Sequence, residues 1–360
     1  NKNIALILEK DVYDHLTDET RSFLVHTSFL DRFSGSLCAA VTGNIRSAEL
    51  LLKISESNGF VVPLDSENLL YRYHHLFREF LQSRLEQEGD EVKRSLFKKA
   101  GAWCLDHDQD VEAAEWFIKA QEYAAAYPIV LKYRAIRSEA CDYSQWKRWV
   151  DAIPESMYED DPGVYITYSW IALMESQIDL AEQTSIKAHD SYERIRSSVP
   201  EDIRPSYEAL LAFSKMSISI HKMDVERTFR DYETLKRVEL KRRIALGDFN
   251  FNESSLLKTI YGFKGRLSVV ERYEAILDSL SRIIGDFSSY IAVIIGEMHY
   301  ERNEMDRIVS LLTENMGSIT ELNMPGVILP SFLLLAKAKA AKGDVDGAFR
   351  KIIEARKLLA

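Results

Sequence analysis

From about residue 90 onward, apolar-periodic stretches of this chain are interrupted at intervals of roughly 33 to 45 residues by short polar or small turns. The turns fall at Gln109, Asp142, Ile178, Met223, Leu267, Asn303 and Gly343. A helix pair joined by such a turn leaves one apolar face uncovered, so neighbouring pairs must stack to complete a core. Only 8 prolines and 15 glycines occur in 360 residues, which leaves long runs of Ala, Leu, Glu, Lys and Arg free to form helix.

The period predicts tandem helix–turn–helix units of the tetratricopeptide type. The clearest unit is "LLLAKAKAAKGDVDGAFRKIIEA": alanines in its first helix, Gly343 at the turn, then Ala348 and Ile352 at packing positions of the second. The expected fold is therefore mostly α, with residues 136–360 forming a right-handed tetratricopeptide-like α-superhelix that carries a concave groove. Groove positions of that repeat fall on Tyr165, Tyr168, Phe213, Tyr261, Lys264, Tyr290, Glu297, Tyr300 and Lys337. Aromatic residues at helical spacing also fill cores, so both placements stay open at this point.

The first ninety residues read differently. "TDETRSFLVHTSFL" offers Thr17 as an N-cap, acidic residues in the first turn, and apolar Phe23, Leu24, Phe29 and Leu30 behind them. "SGSLCAAVTG" and "IRSAELLLKISESNG" predict two more short helices. In "FVVPLDSENLLYRY" two β-branched and aromatic runs flank a polar turn, which predicts a hairpin. Three small helices and a ribbon leading into a further helix describe a winged helix over residues 1–90, followed by a helical arm over 91–135.

Several kinds of chemistry lack their residues. A formal net charge of −10, with about 15 acidic against about 9 basic side chains in the first 92 residues, argues against direct DNA binding by this segment. Cys38, Cys104 and Cys141 stand too far apart for a zinc knuckle and are expected as buried thiols of a cytoplasmic protein. No phosphate-binding loop, dinucleotide fingerprint, HExxH or nucleophile elbow occurs, so no enzyme and no metal site are expected here. The longest apolar run, Val327 to Ala336, is too short to span a bilayer. A start at Asn1 and an end inside a helical pattern predict a fragment of something longer.

"YRYHHLFREFL", residues 71–81, places two histidines side by side. If the helix starts at its beginning, Tyr73, Leu76, Phe77, Phe80, Leu81 and Leu85 form one stripe, with His74 at its edge and His75 about 100° further round. Such divergence predicts that the two imidazoles cannot share a ligand.

"RSFLVHTSFLDRFSGSLCAAVTG" followed by "LYRYHHLFREFLQSRL" closely resembles the winged-helix segment of MalT-like transcriptional activators, signal-transducing ATPases ending in a LuxR-type DNA-binding domain. The likeness extends more loosely through "KKAGAWCLDHDQDVEAAEWFIKAQEYAAAYPIV". In the wider class, "YHHLFREF" resembles the motif written MHD, which implies that His74 contacts the β-phosphate of ADP held by a separate nucleotide-binding domain. His75 departs from the acidic residue usual there. The resemblance implies a sensor fragment without a cofactor of its own, with ADP or ATP belonging to the full-length protein. Its partners would be a small-molecule inducer or a regulatory protein on the superhelix, and the nucleotide-binding and DNA-binding domains in cis. No membrane partner is implied, and self-association stays open. A protein-interaction scaffold without a small-molecule inducer is the alternative.

Overall fold

Thr17 accepts a hydrogen bond from the Thr20 backbone N–H at 3.2 Å and so starts α1, Asp18–Thr27, with Asp18 and Glu19 at the positive end of its dipole. The computed structural model to which this helix belongs describes residues 8–58, 60–65, 67, 69–135, 143–238, 255–257, 287–321 and 325–359. After α1 come β1 (Phe33–Ser34), α2 (Gly35–Thr42), α3 (Ser47–Asn58), β2 (Val61–Pro63), β3 (Leu70–Tyr73) and α4 (His75–Gln87). The hairpin expected between residues 60 and 73 is present, with Val61 opposite Tyr73 and Pro63 opposite Tyr71. Asp65 closes its turn by accepting the Leu69 and Leu70 N–H groups, each at 2.9 Å.

A third strand joins that hairpin. β1 pairs with the other edge of β3, giving an antiparallel sheet of order β1-β3-β2. Two residues carry no readable alternation, which is why the sequence shows only a two-stranded ribbon. Phe33, Phe77, Leu24, Leu30, Leu51 and Leu81 are fully buried beneath the sheet and helices. The Thr27 and Tyr73 hydroxyls meet at 2.6 Å inside this core and tie α1 to the central strand.

Two compact units divide the chain, Asn1–Met157 and Tyr158–Ala360. The first continues past the winged helix with α5 (Asp90–Asp106), α6 (Asp110–Lys119), α7 (Tyr123–Ala135) and α8 (Tyr143–Ala152). α5 and α6 pack closely because Gly101 faces the Phe117 ring, which a Cβ there would meet at 2.9 Å. Trp146 of α8 donates its indole N–H to the Val130 carbonyl of α7 at 2.9 Å. Burial raises the Cys38 thiol pKa and pushes that of Cys104 to about 11, so both behave as inert core groups. Cys141 lies outside the described residues.

The second unit contains the helical hairpins α9 (Pro162–Met174) with α10 (Ile178–Ile195), and α11 (Arg204–His221) with α12 (Val225–Lys236). α13 (Phe287–Glu301) with α14 (Met305–Glu321), and α15 (Pro325–Ala341) with α16 (Val345–Leu358), complete the described pairs. One turn recurs in all four. A residue of positive φ (Ser176, Met223, Asn303 and Gly343) follows the first helix, and the next N–H reaches back five residues to a carbonyl. Examples are Asp224 to Ser219 at 3.0 Å and Asp344 to Lys339 at 2.9 Å. This closure satisfies carbonyls that the helix end leaves without partners. Gly343 alone among the four is a glycine, so it alone adopts the left-handed conformation without steric cost. Asp108 and Gln121 repeat the turn in the first unit; the sequence shows no signal for the second of these. The expected turns at Asp142 and Leu267 lie outside the described residues.

Neighbouring hairpins are joined by polar contacts as well as apolar ones. Glu182 of α10 accepts from Lys222, and from Arg227 of α12 at 2.6 Å. Hydrogen bonds from those two cations hold the Glu182 carboxyl below its ordinary pKa of 4.5. A lowered folded-state value means that this contribution is present above the unfolded pKa and is lost as pH falls through the folded one. Partial exposure screens the network, so Glu182→Gln is expected to cost about 1 kcal/mol at neutral pH. Urea melts should show the difference from wild type closing as pH drops below 4.5; a difference unchanged down to acid pH would refute the ionic origin.

Candidate functional site

α4 begins two residues later than the amphipathic stripe suggests. The His74 N–H donates to the Phe60 carbonyl at 2.8 Å, continuing the β-ribbon, and its carbonyl accepts the Arg78 N–H at 2.9 Å. His74 is thus the N-cap of α4, with extended ψ of 133°, and its side chain makes no capping bond. Its imidazole is exposed, as is that of His75, and the ring centroids stand 4.5 Å apart. The expectation that the two rings diverge is therefore corrected. The 100° separation holds only between two residues both inside a helix, and His74 is not inside one. Tyr73 belongs to β3 and reaches the core from the strand.

One turn along, Arg78 extends a guanidinium N–H to Asp31 at 2.5 Å, while its buried Nε has no hydrogen-bond partner. The positive end of α4 thus carries two imidazoles and a guanidinium. The first-turn N–H groups there have no intrahelical acceptors, and the local field favours an anion. Arg78 was legible in principle, since a residue four places after His74 lies over the same helix end.

The nine groove positions separate into four groups. Tyr165, Phe213 and Tyr290 are 5%, 0% and 3% exposed, so they are core residues and the groove assignment is corrected for them. Tyr165 packs edge-on against Tyr158 at 5.5 Å, Phe213 stacks on Trp170 at 5.1 Å, and Tyr290 joins the main apolar cluster of the second unit. The first helices of the hairpins are covered on several sides, so their large aromatics fill the space between helices. Tyr261 and Lys264 lie outside the described residues. Tyr168 is half-buried on α9.

The remaining three come together. Lys337 of α15 is exposed and holds its ammonium 5.8 Å from the centre of the half-buried Tyr300 ring of α13, a cation–π distance. Glu297, one turn before Tyr300, is buried and accepts the Leu257 N–H at 2.7 Å and the Ser255 hydroxyl at 3.1 Å. Burial raises its pKa, opposed by those hydrogen bonds and by the charge of Lys337. Its carboxylate caps the helical turn at Leu256–Leu257, so it anchors a segment of this chain.

Part of the first unit matches a known family. The MalT winged helix domain matches residues 9–93. Residues 9–93 are similar to that winged helix. Over 100 residues, 27% of this chain, the sequence is 36% identical to the HTH-type transcriptional regulator MalT of Vibrio cholerae, 11% of whose length is covered. The MalT of Vibrio parahaemolyticus is 22% identical over 205 residues, covering 57% of this chain and 23% of that one. Serine/threonine-protein kinase PknK of Mycobacterium tuberculosis is 26% identical over 168 residues, 46% of this chain and 15% of the kinase. The chain thus spans less than a quarter of the length of each of these relatives. Among solved structures, a signal transduction ATPase with numerous domains from Pyrococcus horikoshii, with a tetratricopeptide repeat sensor, aligns at a TM-score of 0.45 and 15% identity. That alignment covers 98% of this chain and 52% of the other. No helix among the described residues is long and apolar enough to cross a membrane.

Proposed function

We propose that this chain is the effector-sensing and regulatory part of a MalT-like transcriptional activator. It would couple ligand or protein binding on the helical hairpins to a nucleotide-binding domain elsewhere in the polypeptide. The observation that carries this reading is the MalT-type winged helix continuing, in one chain, into stacked helical hairpins. Parts of the chain resemble a transcription regulator and a protein kinase, which supports a signal-relaying module.

In this reading His74 donates to the β-phosphate of ADP bound to the neighbouring domain, with the His75 ring beside it at the same helix end. The contact favours the resting arrangement, and an effector shifts the population away from it by binding the two arrangements unequally. In the full regulator, His74→Ala should speed ADP release about tenfold, the loss of one charge-assisted hydrogen bond, and raise effector-independent reporter output. An unchanged ADP off-rate would remove His74 from this role.

The burial of Tyr165, Phe213 and Tyr290 favours a second reading, in which the hairpins bind a peptide or protein and no small molecule. A thermal-shift screen against sugars and metabolites, beside affinity capture with the chain as bait, separates the two. Saturable stabilisation by a metabolite supports the inducer reading. Capture of a defined protein without any metabolite effect supports the scaffold.

A further inference from the structure

The sheet of the winged helix has two unlike faces. Side chains alternate along a strand, so Phe33, Val61, Tyr71 and Tyr73, all buried, point into the core. Ser34, Val62, Leu70 and Arg72 point the other way, and the register sets Arg72 opposite Val62 and Leu70 opposite Ser34. Leu64, whose N–H reaches the Leu70 carbonyl at 2.8 Å, extends that outer row toward the turn and is 40% exposed. Leu69, in the turn itself, is 61% exposed.

Continuing the β1–β3 register by one residue places Arg32 opposite Arg72. Six arginines lie in residues 8–89. Arg21, Arg46, Arg78 and Arg84 each hold a carboxylate. Arg32 and Arg72 are exposed, and neither forms an ion pair among the described residues. Asp31, beside Arg32 in sequence, is engaged by Arg78. Like charges opposed across a strand pair weaken it, so this pair costs the free sheet stability that an arriving anion would return.

The apolar end of the same face narrows which anion fits. A free phosphate or a nucleic-acid backbone would satisfy the arginines, but beside them it would meet exposed Leu64 and Leu69, with Asp65 and Glu67 in the turn. A polypeptide that carries carboxylates next to apolar side chains matches both ends at once. We propose that the outer face of this sheet is a docking surface for an acidic, apolar segment of a partner protein. Arg32 and Arg72 take its carboxylates, and Val62, Leu64 and Leu70 take its apolar side chains. The inference is independent of the regulator reading above, because it uses only the register, exposure and charge of one sheet.

Fluorescence anisotropy of a labelled synthetic peptide of glutamate and leucine, titrated with the 360-residue chain, tests it. Saturable binding that weakens with added salt is expected. Arg72→Glu should weaken it about tenfold, the loss of one charge-assisted contact, and Leu64→Asp should weaken it as well. Arg32→Glu combined with Arg72→Glu should abolish it and create binding to a peptide of lysine and leucine. Arg72→Gln removes the opposed charges, so the melting temperature of the free chain should stay level or rise; a fall would make the arginine part of the fold and overturn the proposal. Absence of binding to the acidic peptide, or binding indifferent to the arginine substitutions, overturns it equally. Pyrophosphate or duplex DNA held at the same arginines more tightly than the peptide would overturn the assignment to a protein partner.

Discussion

Phe77→Ala is expected to destabilise the first unit by about 3 to 5 kcal/mol, the range for removing a fully buried phenylalanine without collapse of its site. Phe77 is 0% exposed and is surrounded by other rings, with Phe60 at 4.8 Å, Tyr73 at 6.3 Å and Phe80 at 6.4 Å between centroids. These neighbours come from the β-ribbon and from α4 itself, whose rigid backbone prevents them from closing the space. Urea denaturation followed through the tyrosine and tryptophan signals should show the loss as a lower midpoint with little change in slope. The same residue holds the first turn of α4, so its removal should also loosen the helix end that presents His74. A cost below about 1 kcal/mol would mean that the site collapses and that the ring cluster is not a rigid core.

Phe213→Ala is the corresponding expectation for the second unit, again about 3 to 5 kcal/mol. Phe213 is 0% exposed and stacks on Trp170 at an interplanar angle of 28°, joining α11 to α9. Its removal forfeits both the buried area and the ring–ring contact. Hydrogen exchange across α9, α10, α11 and α12 should report faster opening of all four helices, because each hairpin completes its core only against its neighbour. The measurement separates two meanings of this residue. A groove residue, when truncated, changes effector binding and leaves protection intact; an inter-helix core residue lowers protection whether or not an effector is present.

Much of the architecture was legible because it depends on local chemistry. Thr17 followed by two acidic residues specifies a helix start that the backbone then makes through the Thr17 hydroxyl. The hairpin across Asp65 was readable from its β-branched and aromatic flanks. Turns near Gln109, Ile178, Met223, Asn303 and Gly343 were readable as breaks between periodic stretches, and each lies within two residues of a backbone of positive φ.

Other features were not legible, for reasons of geometry. β1 is only two residues long and exists because β3 offers it an edge. The direction of the His74 ring depended on where α4 starts, and the hydrogen bond from His74 to Phe60, fourteen positions earlier in the chain, decides that. Periodicity placed Tyr165, Phe213 and Tyr290 on their helices without saying which side would be covered. In α9 apolar residues point in nearly every direction, so no stripe marks a solvent face.

The sequence by itself determined a mostly helical chain with a small winged helix ahead of repeated helical hairpins, because capping, turn chemistry and helical period act over a few residues. Only the tertiary structure decided which aromatics are core and which candidates remain at a surface, and that Glu297 is occupied by the chain's own backbone while Lys337 faces solvent over Tyr300. It also showed that His74 and His75 lie side by side at the open end of α4. Burial is set by what packs against a residue from elsewhere in the chain, and periodicity along one helix carries no record of its neighbours.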